Sequence, residues 1–346
     1  MKIIRVGTYK TGFKYYKNKV EITNADEIEK IRLLKIPPAY ENVTILNNKK
    51  IIAFGYDSKN RKQVLYHPAF IAKQNVKKYN KMTVSINFFS KLKRKVATDL
   101  KSSGGDEKTM AIAVIITLIL KCGFRIGNKK YEKDNNSVGL TTLKYKHLKF
   151  ENKKVLIDFI GKKGVRNVAT CDDRIIYEYL HKAVAAAASA ASTDYVFTYD
   201  NGRVITSSDV NEYLKVISKR YSGDIHITTK DLRTWNANTL FLEYYKKLRK
   251  IRSRGNKGNK GNKKTNEAGM EGTPGDARDA RDARDAPEEA GDADDAERTA
   301  RYMKDIHKDI KRAIEMVAEK LHNTYSICKK SYIDPKIIEG VISNGK

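Results

Sequence analysis

The chain has 346 residues, with 69 Lys and Arg against 41 Asp and Glu, a formal net charge of +28 and an isoelectric point near 9.7. That length accommodates two domains with at least one sizeable core, and that charge points to a polyanionic partner, most simply nucleic acid. Cys122, Cys171 and Cys328 are too scattered for a zinc spacing or a disulfide framework, and the longest apolar run, Met110–Leu120, is too short to cross a bilayer.

The first residues mix charged with apolar side chains, so no secretory leader is expected. Short β-rich runs follow: KIIRVG, FKYYKNKV, VTIL and KIIAFGYD, broken by Asn, Gly and Lys turns. KIPPAY carries two prolines and reads as a loop. From Pro68 the pattern turns helical. FFSKLKRKVATDL and EKTMAIAVIITLILKCG have helical period and length, and Gly123 stands where the second would stop. A boundary is expected within 72–82, giving a β-rich domain at 1–75 and a mainly α domain at 76–346. SSGGDEKT has glycines and a lysine but not the spacing of a phosphate-binding loop, so it reads as a plain loop.

Strands return in HLKFENKKVLIDFIGKKGVRNVAT, three alternating runs joined by the basic turns ENKK and GKKG, which predict a three-stranded meander. RIIYEYLHKAV, SSDVNEYLKVISKRY and TKDLRTWNANTLFLEYY read as helices. The Ala run at 183–191 extends a helix or loops out. Residues 252–265 carry six bases and no acid, and residues 266–297 carry twelve acids and three Arg. The repeat DARDARDARDA has a period of three, which fits neither a helix stripe nor a strand, and apolar residues other than Ala are nearly absent. A disordered insertion at about 252–298 is expected. Beyond it Met303, Ile306, Ile310, Ile314, Val317 and Leu321 recur at helical spacing. The fold class expected is α+β, with a small antiparallel β-rich N-terminal domain and a mainly helical domain carrying the meander.

Transfer of a phosphodiester to a protein side chain needs a nucleophile, cations around the phosphorus and an acid for the leaving oxygen. An arginine fork bonds two phosphate oxygens and stays charged, and such donors act by electrostatic stabilisation of the transition state. Arg125 lies in KCGFRIGN after a helix stop. Arg233 lies in TTKDLRTW near a helix start, where amide donors also favour phosphate. Lys162 sits in the turn IGKKGV, and Tyr332 ends SICKKSY. Singly, each is more often a surface cation, an ion-pair residue or a packed aromatic than a catalytic group.

Taken in order, these motifs resemble the type IB DNA topoisomerases of the poxvirus, giant-virus and bacterial kind. GYDSKNRKQVLYHP is similar to the family's N-terminal DNA-contacting hairpin, FRIGN with SVGLTTLKYKHL to its first arginine motif, and FIGKKGV to its lysine hairpin. TKDLRTW is similar to the second arginine motif and NTYSICKKSYIDP to the nucleophile motif. The resemblance covers nearly the whole chain outside the insertion and implies the tyrosine recombinase/topoisomerase IB catalytic fold. It implies that Arg125 and Arg233 clamp the scissile phosphate, Lys162 protonates the departing 5′ oxygen and Tyr332 attacks phosphorus. The family's fifth residue, a His or Asn nine positions before the tyrosine, falls on Asn323. His322 fills a position that is usually Gly, and Tyr325 one that is usually Pro.

Lys59, Arg61, Lys62, Gln63 and Tyr66 match the family's duplex contacts, while Val64 stands where many relatives have Tyr. The resemblance further implies double-stranded DNA as partner, a monomer with no cofactor, metal or membrane attachment, and an intracellular location with DNA. For a viral chain that location is the virion and the viral factory or the nucleus. The rival readings are a tyrosine site-specific recombinase, against which the β-rich N-terminal part argues, and a non-enzymatic basic DNA-packaging protein, which explains the charge but not the order of the motifs.

Overall fold

In the computed structural model, which describes residues 2–102, 106–188, 194–200, 202–261 and 290–343, the alternating N-terminal runs pair into one antiparallel sheet. Its strands are β1 (Ile3–Thr8), β2 (Gly12–Lys17), β3 (Val20–Glu21), β4 (Glu41–Ile45), β5 (Ile51–Tyr56) and β6 (Lys62–Tyr66), in the order β3-β2-β1-β4-β5-β6. One face buries Tyr15, Val43, Ile45 and Ala53 with Ile31 of a short helix, α1 (Ala25–Arg32). The Asn24 side chain caps that helix by accepting from the Glu27 amide at 2.9 Å. Arg5 is buried and donates to the carbonyls of Pro37 at 3.0 Å and Tyr40 at 2.6 Å, its guanidinium lying 4.2 Å from the Phe13 ring centroid. The proline loop is thereby fixed from inside the sheet. α2 (Pro68–Val84) completes this unit.

The chain divides into two units, Met1–Val84 and Ser85–Lys346. The boundary expected at 75/76 lies inside α2, whose helical pattern runs unbroken to Val84. The second unit contains α3 (Ile86–Lys101), α4 (Glu107–Cys122), α5 (Lys129–Asn135), β7 (Leu148–Glu151), β8 (Lys154–Ile160), β9 (Arg166–Cys171) and α6 (Arg174–Ala188). It continues with β10 (Thr198–Tyr199), β11 (Arg203–Val204), α7 (Ser207–Ser222), α8 (Thr229–Gly261), α9 (Ala290–Lys320), α10 (Tyr325–Ser331) and α11 (Pro335–Ser343). β7, β8 and β9 form the meander expected from the sequence. α4 buries every residue from Ala111 to Ile119, a run apolar on all sides but for Thr117, whose hydroxyl donates to the Ala113 carbonyl at 2.8 Å, and packs against α3, α7, α8 and β9. Gly123 caps it with φ 69°, and a β-carbon there would collide with the Lys320 carbonyl. Among the described residues no helix is long and apolar enough to cross a membrane.

α8 and α9 pack together around Ala237, Phe241, Ile306, Ile310, Ala313, Ile314 and Val317. Both run into the stretch expected to be disordered. α8 continues to Gly261 and α9 begins at Ala290, so both edges of the 252–298 insertion are helical. A physical reason lies at Arg252, which bonds Asp305 at 3.0 Å and forms a two-point ion pair with the buried Asp309, joined there by Arg249 at 3.6 Å. Residues 262–289 of the expected insertion, residues 189–191 of the Ala run and residues 103–105 of the SSGGDEKT loop lie outside the described residues.

Candidate active site

Four of the five residues singled out as catalytic come together where α4, α8 and α9 end or begin. Arg125 follows the Gly123 cap by two residues, and its backbone is held by Leu140, whose amide donates to the Arg125 carbonyl at 2.9 Å. Next to it Gly127 and Gly139 approach so closely that a β-carbon on Gly139 would lie 2.4 Å from the Gly127 α-carbon. The Arg125 guanidinium donates to Asn323 Oδ1 at 2.6 Å. Asn323 itself lies just past the end of α9, its amide bonded to the Ala318 carbonyl at 2.8 Å.

Arg233 sits in the second turn of α8 and is only 5 % exposed. The helix starts on a reciprocal cap in which the Asp231 carboxylate accepts from the Thr228 amide at 2.9 Å and hydroxyl at 2.8 Å. The guanidinium donates to the Gly123 carbonyl and, at 3.1 Å, to the Leu321 carbonyl. It therefore uses carbonyls left over at the C-terminal ends of α4 and α9, where backbone acceptors have no helical partner. Its Cζ lies 5.6 Å from the centre of the Tyr332 ring. Burial pulls the Arg233 pKa below its usual value, and the adjacent Tyr332 opposes that fall.

Tyr332 closes α10 with φ −124° and packs, half-buried, against the α8/α9 core. Burial works to raise the pKa of its hydroxyl. The charges of Arg233 and Arg125, with polar contacts from Arg233 and Asn323, outweigh burial and set the phenol below its usual range. Two donors beside it are left open. Arg233 Nε and Asn323 Nδ2 are buried and make no well-formed hydrogen bond, their residues meeting the phenol only in looser polar contacts. An unmet buried donor costs about 1–3 kcal/mol.

Lys162 is not brought to this cluster. It occupies the exposed β8–β9 turn, in which Lys163 and Gly164 both have left-handed backbones (φ 64° and 72°), and it makes no hydrogen bond or ion pair among the described residues. The turn is tied to the site through its base, because Phe159 of β8 packs against Phe124 with ring centres 5.0 Å apart and the Val138 amide donates to the Ile160 carbonyl at 3.0 Å.

The N-terminal candidates lie on the β5–β6 hairpin of the first unit. Asp57 organises that turn. It accepts from the Lys59 and Arg61 amides at 3.1 and 3.0 Å and from the side chains of Arg61 and Gln63 at 2.8 and 2.9 Å. The Arg61 bond, with these amides and the nearby charge, lowers the Asp57 carboxyl to about 2. Lys62 lies over the Phe54 ring at 4.1 Å, and the exposed Tyr66 stacks on Phe70.

Two residues essential to this geometry escaped the sequence reading. Asn236 donates to the Leu120 carbonyl at 2.8 Å. Asn238 donates to the Tyr332 carbonyl at 2.9 Å and accepts from the Asp334 amide at 2.8 Å. The signal was present in TWNANTL, where asparagines interrupt the apolar face of a helix that also buries Leu232, Ala237 and Phe241.

Residues 58–342 match the family described as eukaryotic DNA topoisomerase I, catalytic core, and residues 12–57 match the bacterial DNA topoisomerase IB N-terminal domain. The chain belongs to the DNA topoisomerase I family, in its IB branch. It is 28% identical over 237 residues to DNA topoisomerase 1B of Acanthamoeba polyphaga mimivirus, covering 67% of this chain and 68% of that one. It is 25% identical over 228 residues to DNA topoisomerase 1B of Vaccinia virus (strain Copenhagen), covering 62% of this chain and 65% of the relative. Among solved structures, the XerH site-specific recombinase bound to difH substrate aligns over 43% of this chain and 41% of its own, at 18% identity and a TM-score of 0.33.

Proposed function

We propose that this chain relaxes supercoiled duplex DNA by cutting and rejoining one strand through Tyr332. The observation that carries the reading is the pair of open buried donors, Arg233 Nε and Asn323 Nδ2, flanking a tyrosine whose hydroxyl is acidified by Arg233 and Arg125. A scissile phosphate is the ligand this arrangement suits: it brings nonbridging oxygens to the donors and phosphorus to the nucleophile.

In the cleavage step the Tyr332 oxygen, its proton lost to solvent, bonds to phosphorus as the bond to the 5′ oxygen breaks. The products are a 3′-phosphotyrosyl link and a 5′-hydroxyl strand. Lys162, on its exposed turn, supplies the proton to the leaving oxygen once DNA is bound. The new link conserves the energy of the phosphodiester, so resealing by the 5′ hydroxyl needs no nucleotide. Between the two steps the free strand turns about the intact one and releases supercoils of either sign. The hairpin carrying Lys59, Arg61, Lys62, Gln63 and Tyr66 contacts the duplex. Gln63 is suited to a base edge, and the cations to phosphates.

The test is relaxation of positively and of negatively supercoiled plasmid by the purified chain, in EDTA and without nucleotide. Relaxation of both through a spread of topoisomers is expected. Tight DNA binding with no relaxation of either would reject the reading.

A further inference from the structure

Between Leu321, whose carbonyl takes Arg233, and Asn323, whose side chain takes Arg125, stands His322. Its backbone is left-handed, with φ 51°, a conformation that side chains with a β-carbon avoid. The ring is not in the cluster of open donors. It turns back toward α4, where Nε2 lies 3.1 Å from the Cys122 carbonyl, and it stacks on Phe124 at 5.3 Å between centres and 16° between planes. A carbonyl only accepts, so Nε2 carries the hydrogen. Burial, reinforced by the charges of Arg233, Arg125 and Lys320, pulls the imidazole pKa down against the opposing effect of the Cys122 bond.

The consequence is geometric. Segment 122–125 carries Arg125 and the Gly123 carbonyl that receives Arg233. Segment 321–323 carries Asn323 and the Leu321 carbonyl that receives the other arm of Arg233. The two segments are about 200 residues apart in the chain, and His322 joins them directly by one hydrogen bond and one ring stack.

We infer that His322 is a positioning residue for strand cleavage, acting through Arg125 and Asn323 by fixing the turn after α9 against the turn after α4. This inference rests on the site reading above. It assigns His322 no contact with DNA. Its hydrogen-bond donor already serves Cys122, and its work is to hold Arg125 and Asn323 at their mutual distance.

The experiment compares the parent chain with His322→Gly and His322→Gln. The readouts are the rate of covalent adduct formation on excess plasmid DNA, trapped with detergent, thermal midpoint, and affinity for a duplex measured in a Tyr332→Phe background. Glycine suits φ 51° and removes the ring, and the thermal midpoint reports whether the fold is kept. A loss of about tenfold in adduct rate is expected, less than the roughly hundredfold that a misplacement of about 1 Å can cost, with affinity unchanged. Gln presents an amide N–H to Cys122 and is expected to recover most of the rate, and added imidazole is expected to restore part of it to the Gly variant. An unchanged rate in His322→Gly would overturn the inference, as would equal losses in Gly and Gln with no response to imidazole. If the Tyr332→Phe chain still forms adducts, the site reading itself fails, whatever the His322 variants do.

Discussion

Asn238 holds the nucleophile segment from both sides: its amide donates to the Tyr332 carbonyl at 2.9 Å, and its oxygen accepts from the Asp334 amide at 2.8 Å. It also bonds the Thr234 carbonyl at 2.8 Å, one residue from Arg233. One side chain thus sets the distance between an arginine of the site and the tyrosine beside it. Asn238→Ala should lower the adduct rate by about tenfold or more, the scale on which misplaced groups lose rate, and destabilise the fold by about 1–3 kcal/mol through the unmet backbone groups. Asn238→Asp keeps the acceptor for Asp334 and loses the donor for Tyr332. The carboxylate oxygen that replaces the donor faces the Tyr332 and Thr234 carbonyls in a buried position, so rate and melting point should fall at least as far as in Ala, which trapped-adduct kinetics and thermal melts would resolve.

Asn323 divides its two ends between partners. Oδ1 serves Arg125, and Nδ2 is the buried open donor. Asn323→Asp preserves the acceptor for Arg125, even strengthening it with charge, but presents a carboxylate where the phosphate oxygen would sit. The expected result is a loss in adduct rate at least as large as that of Asn323→Ala, about a hundredfold for removal of one such donor. If Asp proves as active as the parent, Nδ2 is not the group that meets the phosphate.

Lys162 is the candidate that the fold leaves outside the cluster, and its role is therefore testable by leaving-group chemistry. A lysine that protonates the 5′ oxygen matters little when that oxygen is replaced by sulfur, a far better leaving group. Lys162→Ala should slow adduct formation on ordinary DNA by about 10²–10⁴, the usual span for general acid catalysis. It should match the parent on a 5′-phosphorothiolate strand. A variant that stays slow on the thio strand would remove Lys162 from the acid role.

The parts legible in the sequence were those whose signal is local. Gly123 announced the end of α4, and the alternation of HLKFENKKVLIDFIGKKGVRNVAT announced the meander. α1 was missed although Asn24 and the acidic first turn mark its start, because eight residues between strands show too little helical period to stand out. The edges of the insertion were misjudged for a different reason. Arg252 and Asp309 are unremarkable in sequence and become a helix-stabilising pair only when α8 and α9 meet. The same holds for Asn238 and His322. Their partners lie far along the chain, so no window of neighbouring residues contains the interaction.

The depressed phenol of Tyr332 makes a prediction about pH. Its hydroxyl lies in a site where burial alone would raise the pKa, and the guanidinium charges of Arg233 and Arg125 reverse that. The folded value is below the unfolded one, which is about 10 for tyrosine. The ionised form therefore adds stability that is fully present above the unfolded value and is lost as pH falls through the folded one. The same depression gives a larger phenolate fraction, available to attack phosphorus, at any pH below the unfolded value. In the free protein, ring-labelled tyrosine observed by NMR should show one resonance, absent from Tyr332→Phe, that titrates below the ordinary tyrosine range. Arg125→Gln should move that midpoint upward, because removing a nearby positive charge disfavours the phenolate. The adduct rate of the parent should rise with pH and level off at lower pH than that of the Arg125→Gln chain. A Tyr332 resonance that titrates at or above the values of exposed tyrosines, unmoved by Arg125→Gln, would mean that burial prevails and that the arginines act on the phosphate alone.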